Sequence, residues 1–354
     1  MKKKLKIYGT LCILVDLVLL SISKVLFIIT TILILLAGFG GVTLLFLNAL
    51  YKRTNHWKNQ FLFEKNFISN LGYRDNLSRN LEVVNLGSNP AKYGLFYENI
   101  RGQNWATGSQ GLEMDFEILK YFHSYLKEGG IVLIPIMPFT AISQYIKTKK
   151  EYWNDNYYIK FAKIIDPYQT RQLPNGVKIL KKVRYPLIFD PTLIRYLFVD
   201  TPKDNSLEVS EQTMSAVELE HDADKWIEGW KKEFDATNVK DFLSDKYAPY
   251  REESVAILQS IIEYCKERNI KPVLLTIPMS KYLSKKFSDE FRKKMINDFV
   301  GELKIDGILF LDYMFDLRFD NPTLYSGSFF LNLKGRKLFS TQVIKDLQLQ
   351  VEHA

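Results

Sequence analysis

The sequence predicts an α/β fold, a three-layer α/β/α arrangement with a parallel sheet, carried behind an N-terminal transmembrane helix. Three observations lead there. One long N-terminal run carries no charge. Short continuous apolar runs, such as "IVLIPIMP" and "KPVLLTIP", read as strands covered on both faces. Between them lie segments with apolar residues at helical spacing, and strands that alternate with helices imply a parallel sheet.

The uncharged run is Val25 to Leu50, "VLFIITTILILLAGFGGVTLLFLNAL". About 20 such residues span a bilayer. The run is too long, and too far from the start, for a cleaved signal peptide. Ile7 to Ser23 is also apolar but contains Asp16. It fits a first span, an interfacial helix or an extension of the main one, and a hairpin would have only Ser23 and Lys24 to turn on. The expected topology is a single pass through the cell membrane, the lysine-rich N-terminus inside and the C-terminal domain extracytoplasmic. The alternative is two passes with a cytoplasmic domain. The domain plan is a membrane anchor at 1–51, a juxtamembrane stalk at 52–80, and an α/β domain at 81–349 with an inserted region at about 150–250.

The net charge of +8 first suggests nucleic acid. Its distribution argues against that partner. Residues 1–53 hold seven basic residues against the single acid Asp16, which leaves only +2 for the rest of the chain. The basic residues flank an apolar segment, where they meet lipid headgroups, and they form no stripe for phosphates. Cys12 and Cys265 have no evident reason to meet. His56, His123, His221 and His353 are scattered without ligand spacing. No metal site and no cofactor are implied.

Along the remaining chain, "LEVVNLGSNP" reads as a strand, Leu81–Leu86, ending in a turn. "GQNWATGSQG" gives a short second strand and a glycine-rich turn. "LEMDFEILKYFHSYLKEGG" is a helix stopped by Gly129-Gly130. The inserted region is rich in aromatics, and Trp226, Trp230 and Phe234 recur four apart, which packs one helix onto a core or, alternatively, forms a ligand-binding platform. Alternation returns with Leu258, Ile261, Ile262 and Cys265 at helical spacing. The strand "KPVLLTIP", a helix near 286–303, the strand "GILFLDY" and a helix from Leu333 to Leu349 follow. Sites in such sheets form at the carboxyl ends of strands. The turn after Leu86, the turn at Thr107–Gly111 and the loop at 312–332 converge there.

"NLGSNP", "GQNWATG" and "GSFFLNLKG" together resemble the SGNH (GDSL-like) hydrolase superfamily. The resemblance covers roughly residues 81–140 and 251–349. It implies a nucleophile at Ser88 in the turn after the first strand. It implies oxyanion donors near Gly108 and Asn104, with Asn89 and Trp105 as candidate ligand-binding residues. A purely structural reading of the same residues is a tight turn and a helix cap, with Thr107 or Ser109 serving the helix N-terminus. The third block of the family supplies an oxyanion asparagine; here the corresponding strand end reads "IVLIPIMPFTA" and has none. The last block is an Asp-x-x-His-Leu-Asn pattern followed by Lys-Gly. Leu331, Asn332, Lys334 and Gly335 match it, but Gly327 stands for the aspartate and Phe330 for the histidine. Phenylalanine accepts no proton, and a serine without a base is a poor nucleophile at neutral pH. His221 from the insertion, or Asp312, Asp316 or Asp320, are the remaining candidates for base or orienter.

The expected function is therefore that of a membrane-anchored SGNH-hydrolase-like protein of cell-envelope polysaccharide metabolism with a degenerate or atypical esterase or O-acyltransferase site. The partners that follow are the lipid bilayer, a cell-surface glycan and a membrane-embedded polysaccharide-assembly protein. The alternatives are an active serine esterase or acyltransferase using Ser88, and a non-enzymatic glycan-binding or scaffold protein.

Overall fold

The computed structural model describes residues 2–59, 67–68, 74–75, 79–98, 100–106, 108, 110–149, 176–199, 211–305 and 307–349; of 2–17, 19, 34, 36, 37, 58–59, 67–68 and 74–75 it describes the backbone alone. The chain divides into two compact units. One joins Met1–Trp57 to Lys181–Thr201, and the other joins Lys58–Leu180 to Pro202–Ala354. The inserted region is thus shared between them, with residues 181–201 grouped with the N-terminal helix.

In the first unit, helix α1 runs from Lys2 to Tyr51. It passes Ser23 and Lys24 without a turn, so Ile7–Ser23 extends the main apolar helix. At 1.5 Å per residue its length is about 75 Å. The stretch Leu20–Tyr51 is long and apolar enough to cross a membrane. Phe27, Leu35, Phe39 and Val42 are exposed along it. Two hydroxyls within it need no water, because Thr30 and Thr31 donate to the carbonyls of Leu26 and Phe27 at 2.7 and 2.9 Å.

The second unit is built on five parallel strands: β1 (Leu81–Asn85), β2 (Gly102–Asn104), β3 (Leu126–Pro135), β4 (Lys271–Leu275) and β5 (Leu309–Leu311). Their order is β2-β1-β3-β4-β5. Side chains alternate between two buried clusters as a strand's period of two requires. Val84, Leu86, Val132, Ile134 and Leu274 enter one cluster; Val83, Ile131, Leu133, Val273 and Leu275 enter the other. Helices α3 (Leu112–Phe122) and α5 (Ala248–Glu267) supply the first, and α6 (Leu333–Asp346) supplies the second. Leu258, Ile261, Ile262 and Cys265 are all fully buried, as their spacing predicts. The helix expected near 286–303 is interrupted by a π-turn at Lys293–Asn297.

The winding reverses between β1 and β3, which opens a crevice at their carboxyl ends. Helix α2 (Asn89–Lys92) begins at the β1 end of this crevice, and α4 (Ala216–Glu233) comes from the inserted region. Residues Tyr325–Gly327 and Phe330–Leu331 pair as a short antiparallel hairpin before α6.

Candidate functional site

The turn after β1 is set by Gly87. Its φ of +107° suits glycine, and a Cβ there would lie 2.9 Å from Pro135 Cγ at the end of β3. The turn therefore lies close against the neighbouring strand end, and it delivers Ser88 to the mouth of the crevice. Ser88 precedes α2 with extended backbone but makes no side-chain cap bond. Its hydroxyl lacks a hydrogen-bond partner among the described residues.

Ser88 and Gly108 line one cavity of about 980 Å³ with Gln110, Asp115, Met137, Phe139, Trp230 and Phe329. Asn89 approaches the same place: its Oδ1 would be 2.8 Å from a Cβ on Gly108. Thr107 and Ser109 lie outside the described residues. The strand end that lacks the third-block asparagine contributes Pro135, Met137 and Pro138 to the wall instead. That wall presents ring and thioether surface where the resemblance implies a carboxamide.

Asn104 and Trp105 are elsewhere. Asn104 is buried, and both ends of its amide are engaged. Nδ2 donates to the carbonyls of Ala91, Lys92 and Leu95 at 3.1–3.2 Å. Oδ1 accepts from Asn85 Nδ2 at 2.9 Å and from Ala106 N at 3.0 Å. It ties β2 to β1 and to the turn after α2. Trp105 is fully buried against Phe122, and its indole N–H donates to Gln103 Oε1 at 3.1 Å. No ring face is left for a sugar.

The last block is explained by packing. Asn332 caps α6, its Oδ1 accepting from Gly335 N at 3.0 Å, while Nδ2 donates to the Thr323 carbonyl at 2.8 Å. A Cβ on Gly335 would lie 2.3 Å from the Leu324 carbonyl oxygen, so only glycine fits. Phe330, at the histidine position, lies 5.0 Å from the Tyr93 ring and 5.5 Å from Trp226, centroid to centroid. Phe329 packs on Trp226 and Trp230 at 5.3 and 5.2 Å. These two phenylalanines are the seat on which α4 docks. A Cβ on Gly327 would be 3.5 Å from Asp222 Oδ2. That α4 carboxylate accepts from Ser328 N and Oγ at 2.7 and 2.6 Å.

The other candidate bases are committed or distant. His123 pairs with the Lys120 carbonyl and Tyr264 hydroxyl at 3.0 and 3.1 Å, and His221 is exposed on α4. His56 belongs to the first unit, and His353 lies outside the described residues. Asp312 receives Thr276 Oγ1 at 2.7 Å and Arg292 Nη2 at 2.6 Å. Asp316 caps a short turn and pairs with Arg318, and Asp320 faces Lys281 at 3.7 Å. Among the described residues, no group of three or more His, Cys, Asp or Glu could hold a metal ion.

A titratable group outside the family pattern also faces the cavity: Asp115. It is 3 % exposed and lines the cavity. Burial pushes its carboxyl up to about 7, although hydrogen bonds from Gln110 and the Gly87 amide favour the charged form. A signal for it was present. Asp115 sits on the inward stripe of α3 with Leu112, Ile118, Leu119 and Phe122, a charge where helical spacing demands an apolar side chain. Glu233 is on the rim. Desolvation raises its carboxyl too, but the residue remains open to water, so it carries less weight. No protein-family model matches the chain, and no curated protein is similar to it.

Proposed function

We propose that the second unit is an SGNH-hydrolase-like domain, its helices and sheet stacked as three layers in a flavodoxin-like order. Helix α1 holds it at the cell membrane in a single pass, outside the cytoplasm, where it serves cell-envelope polysaccharide metabolism. Its site has lost ordinary serine-hydrolase chemistry. The single observation that carries this reading is the contrast between Ser88 and Phe330. The serine is delivered to a cavity with its hydroxyl unengaged among the described residues, while the position of the base is filled by a ring held among Tyr93, Trp226 and Phe329. A cavity walled by Trp230, Phe139 and Gln110 suits retention of a glycan segment without turnover.

A fluorophosphonate probe tests this. The expected result is no labelling of the wild type above the Ser88→Ala variant. Labelling that disappears in Ser88→Ala would replace the proposal with an active serine enzyme. One observation favours that second reading. Asp115 has the protonation range of a general base, lines the same cavity as Ser88 and bonds the amide next to it. In that case labelling would rise through neutral pH and be lost in Asp115→Asn.

A further inference from the structure

The chain returns to the end of α1 more than a hundred residues after leaving it. Asn48, in the last turns of α1, is 3 % exposed, and its Oδ1 accepts from Leu187 N at 3.0 Å. Lys52 Nζ donates to the Arg184 carbonyl at 2.7 Å. The His56 and Tyr196 rings stack at 3.4 Å and 9°. These contacts fix a helical segment, Pro186–Phe189, and the following turns, Pro191–Leu197, against the helix end. Everything in this contact lies within the first unit.

What the segment turns outward is unusual for a surface facing water. Ile188, Phe189, Ile194, Phe198 and Val199 are exposed, Phe198 to 84 %. A buried face holds Leu187 against α1, so these side chains are a second apolar face, without a partner among the described residues. The same stretch, 181–199, carries Lys181, Lys182, Arg184 and Arg195 against one acid, Asp190, a balance of +3. Tyr185 and Tyr196 flank the apolar residues, each beneath an arginine. Apolar side chains edged by aromatic rings and basic heads are the composition of an element lying in the headgroup layer. The exposed apolar side chains of α1 reach Phe46, two residues before the Asn48 that holds this segment.

We infer that residues 181–199 form a second membrane contact, lying in the interface and selective for anionic lipid headgroups. This rests on α1 crossing the bilayer. The apolar residues dip below the headgroups beside the helix end, and the basic side chains stay at the phosphate level.

The test uses the full chain in nanodiscs with Cys12→Ser. Cys265 stays in place, buried, its thiol pushed up to about 12 and so unreactive. An environment-sensitive fluorophore is attached at Phe198→Cys or, as the control for α1, at Phe27→Cys. In phosphatidylcholine discs containing phosphatidylglycerol, the 198 probe is expected to emit as in an apolar medium and to be quenched by shallow lipid-borne doxyl groups. Lys181→Gln with Arg184→Gln should weaken that contact by roughly fivefold per charge removed. Pure phosphatidylcholine should do the same. Water-like emission at 198 with quenching at 27 overturns the interfacial contact while leaving the anchor intact. Apolar emission at 198 without quenching by lipid means that protein covers the face, and also overturns it. Equal quenching in neutral and anionic discs overturns the headgroup selectivity. Failure of quenching at 27 overturns the anchor, and this inference with it.

Discussion

The carboxylate of Asp115 accepts the backbone N–H of Gly87 at 2.8 Å, so a buried acid on α3 holds the turn that presents Ser88. Two forces act on its proton. The hydrogen bonds favour the ionised form, and the loss of water opposes it; desolvation wins, which places the group near neutrality.

The pH dependence follows in sign. The folded-state pKa, about 7, lies above the ordinary aspartate value of about 3.9. Between the two, the folded protein binds more protons than the unfolded chain. The contribution of Asp115 to stability is therefore full below about pH 4 and is lost as pH rises towards 7, by about 1.4 kcal/mol per unit. Asp115→Asn keeps an oxygen for Gly87 and Gln110 and removes the titration. Urea unfolding in detergent between pH 4.5 and 8 should show a falling wild-type stability and a flatter variant.

Installing an Asp-x-x-His dyad at positions 327 and 330 should not be neutral for the fold. Phe330→His removes ring contacts with Tyr93 and Trp226 and is expected to cost about 1–3 kcal/mol. Gly327→Asp brings a second carboxylate towards Asp222 and should destabilise further, unless Asp222→Asn is added. Thermal melts of the four variants, single and combined, measure this coupling.

Trp105→Ala should behave as a core truncation, costing about 3–5 kcal/mol. The loss should appear in denaturant midpoint, and Trp105→Phe should recover a large part of it. Selective loss of glycan binding at unchanged stability would contradict the burial described above.

Gly87→Ala adds a Cβ against Pro135 and Ala91 at a backbone angle glycine favours. Destabilisation of roughly 1–3 kcal/mol is expected. A chemical-denaturation curve with unchanged m-value and lowered midpoint would report it.

Much of the fold was legible because burial on both sheet faces writes continuous apolar runs, as at Ile131–Ile136, and helix spacing writes stripes, as at Leu258–Cys265. The position of Ser88 was legible for the same reason, since a glycine after a buried strand marks a turn at the sheet end. Trp105 and Asn104 were misleading. An aromatic and an amide near a glycine-rich turn have the same letters whether they face a cavity or a core, and only the direction of β2 decides. Asp115 was easy to pass over despite its place on the inward stripe, because a carboxylate in the first turn of a helix, as Glu113 beside it, is ordinarily a solvated partner for the helix dipole. The return of residues 181–199 to α1 had no local signal, since a contact across that separation leaves no period in the chain.

The residues that match the Asp-x-x-His-Leu-Asn pattern have a different owner from those that depart from it. Asn332 and Gly335 answer to the start of α6, where a cap and a carbonyl in close approach leave no choice of side chain. Gly327 and Phe330 answer to α4. Two separate packing demands thus meet within nine residues, one set by a helix entry and the other by the helix that docks across it. Resemblance carried by such a block reports a helix entry and is silent about any reaction.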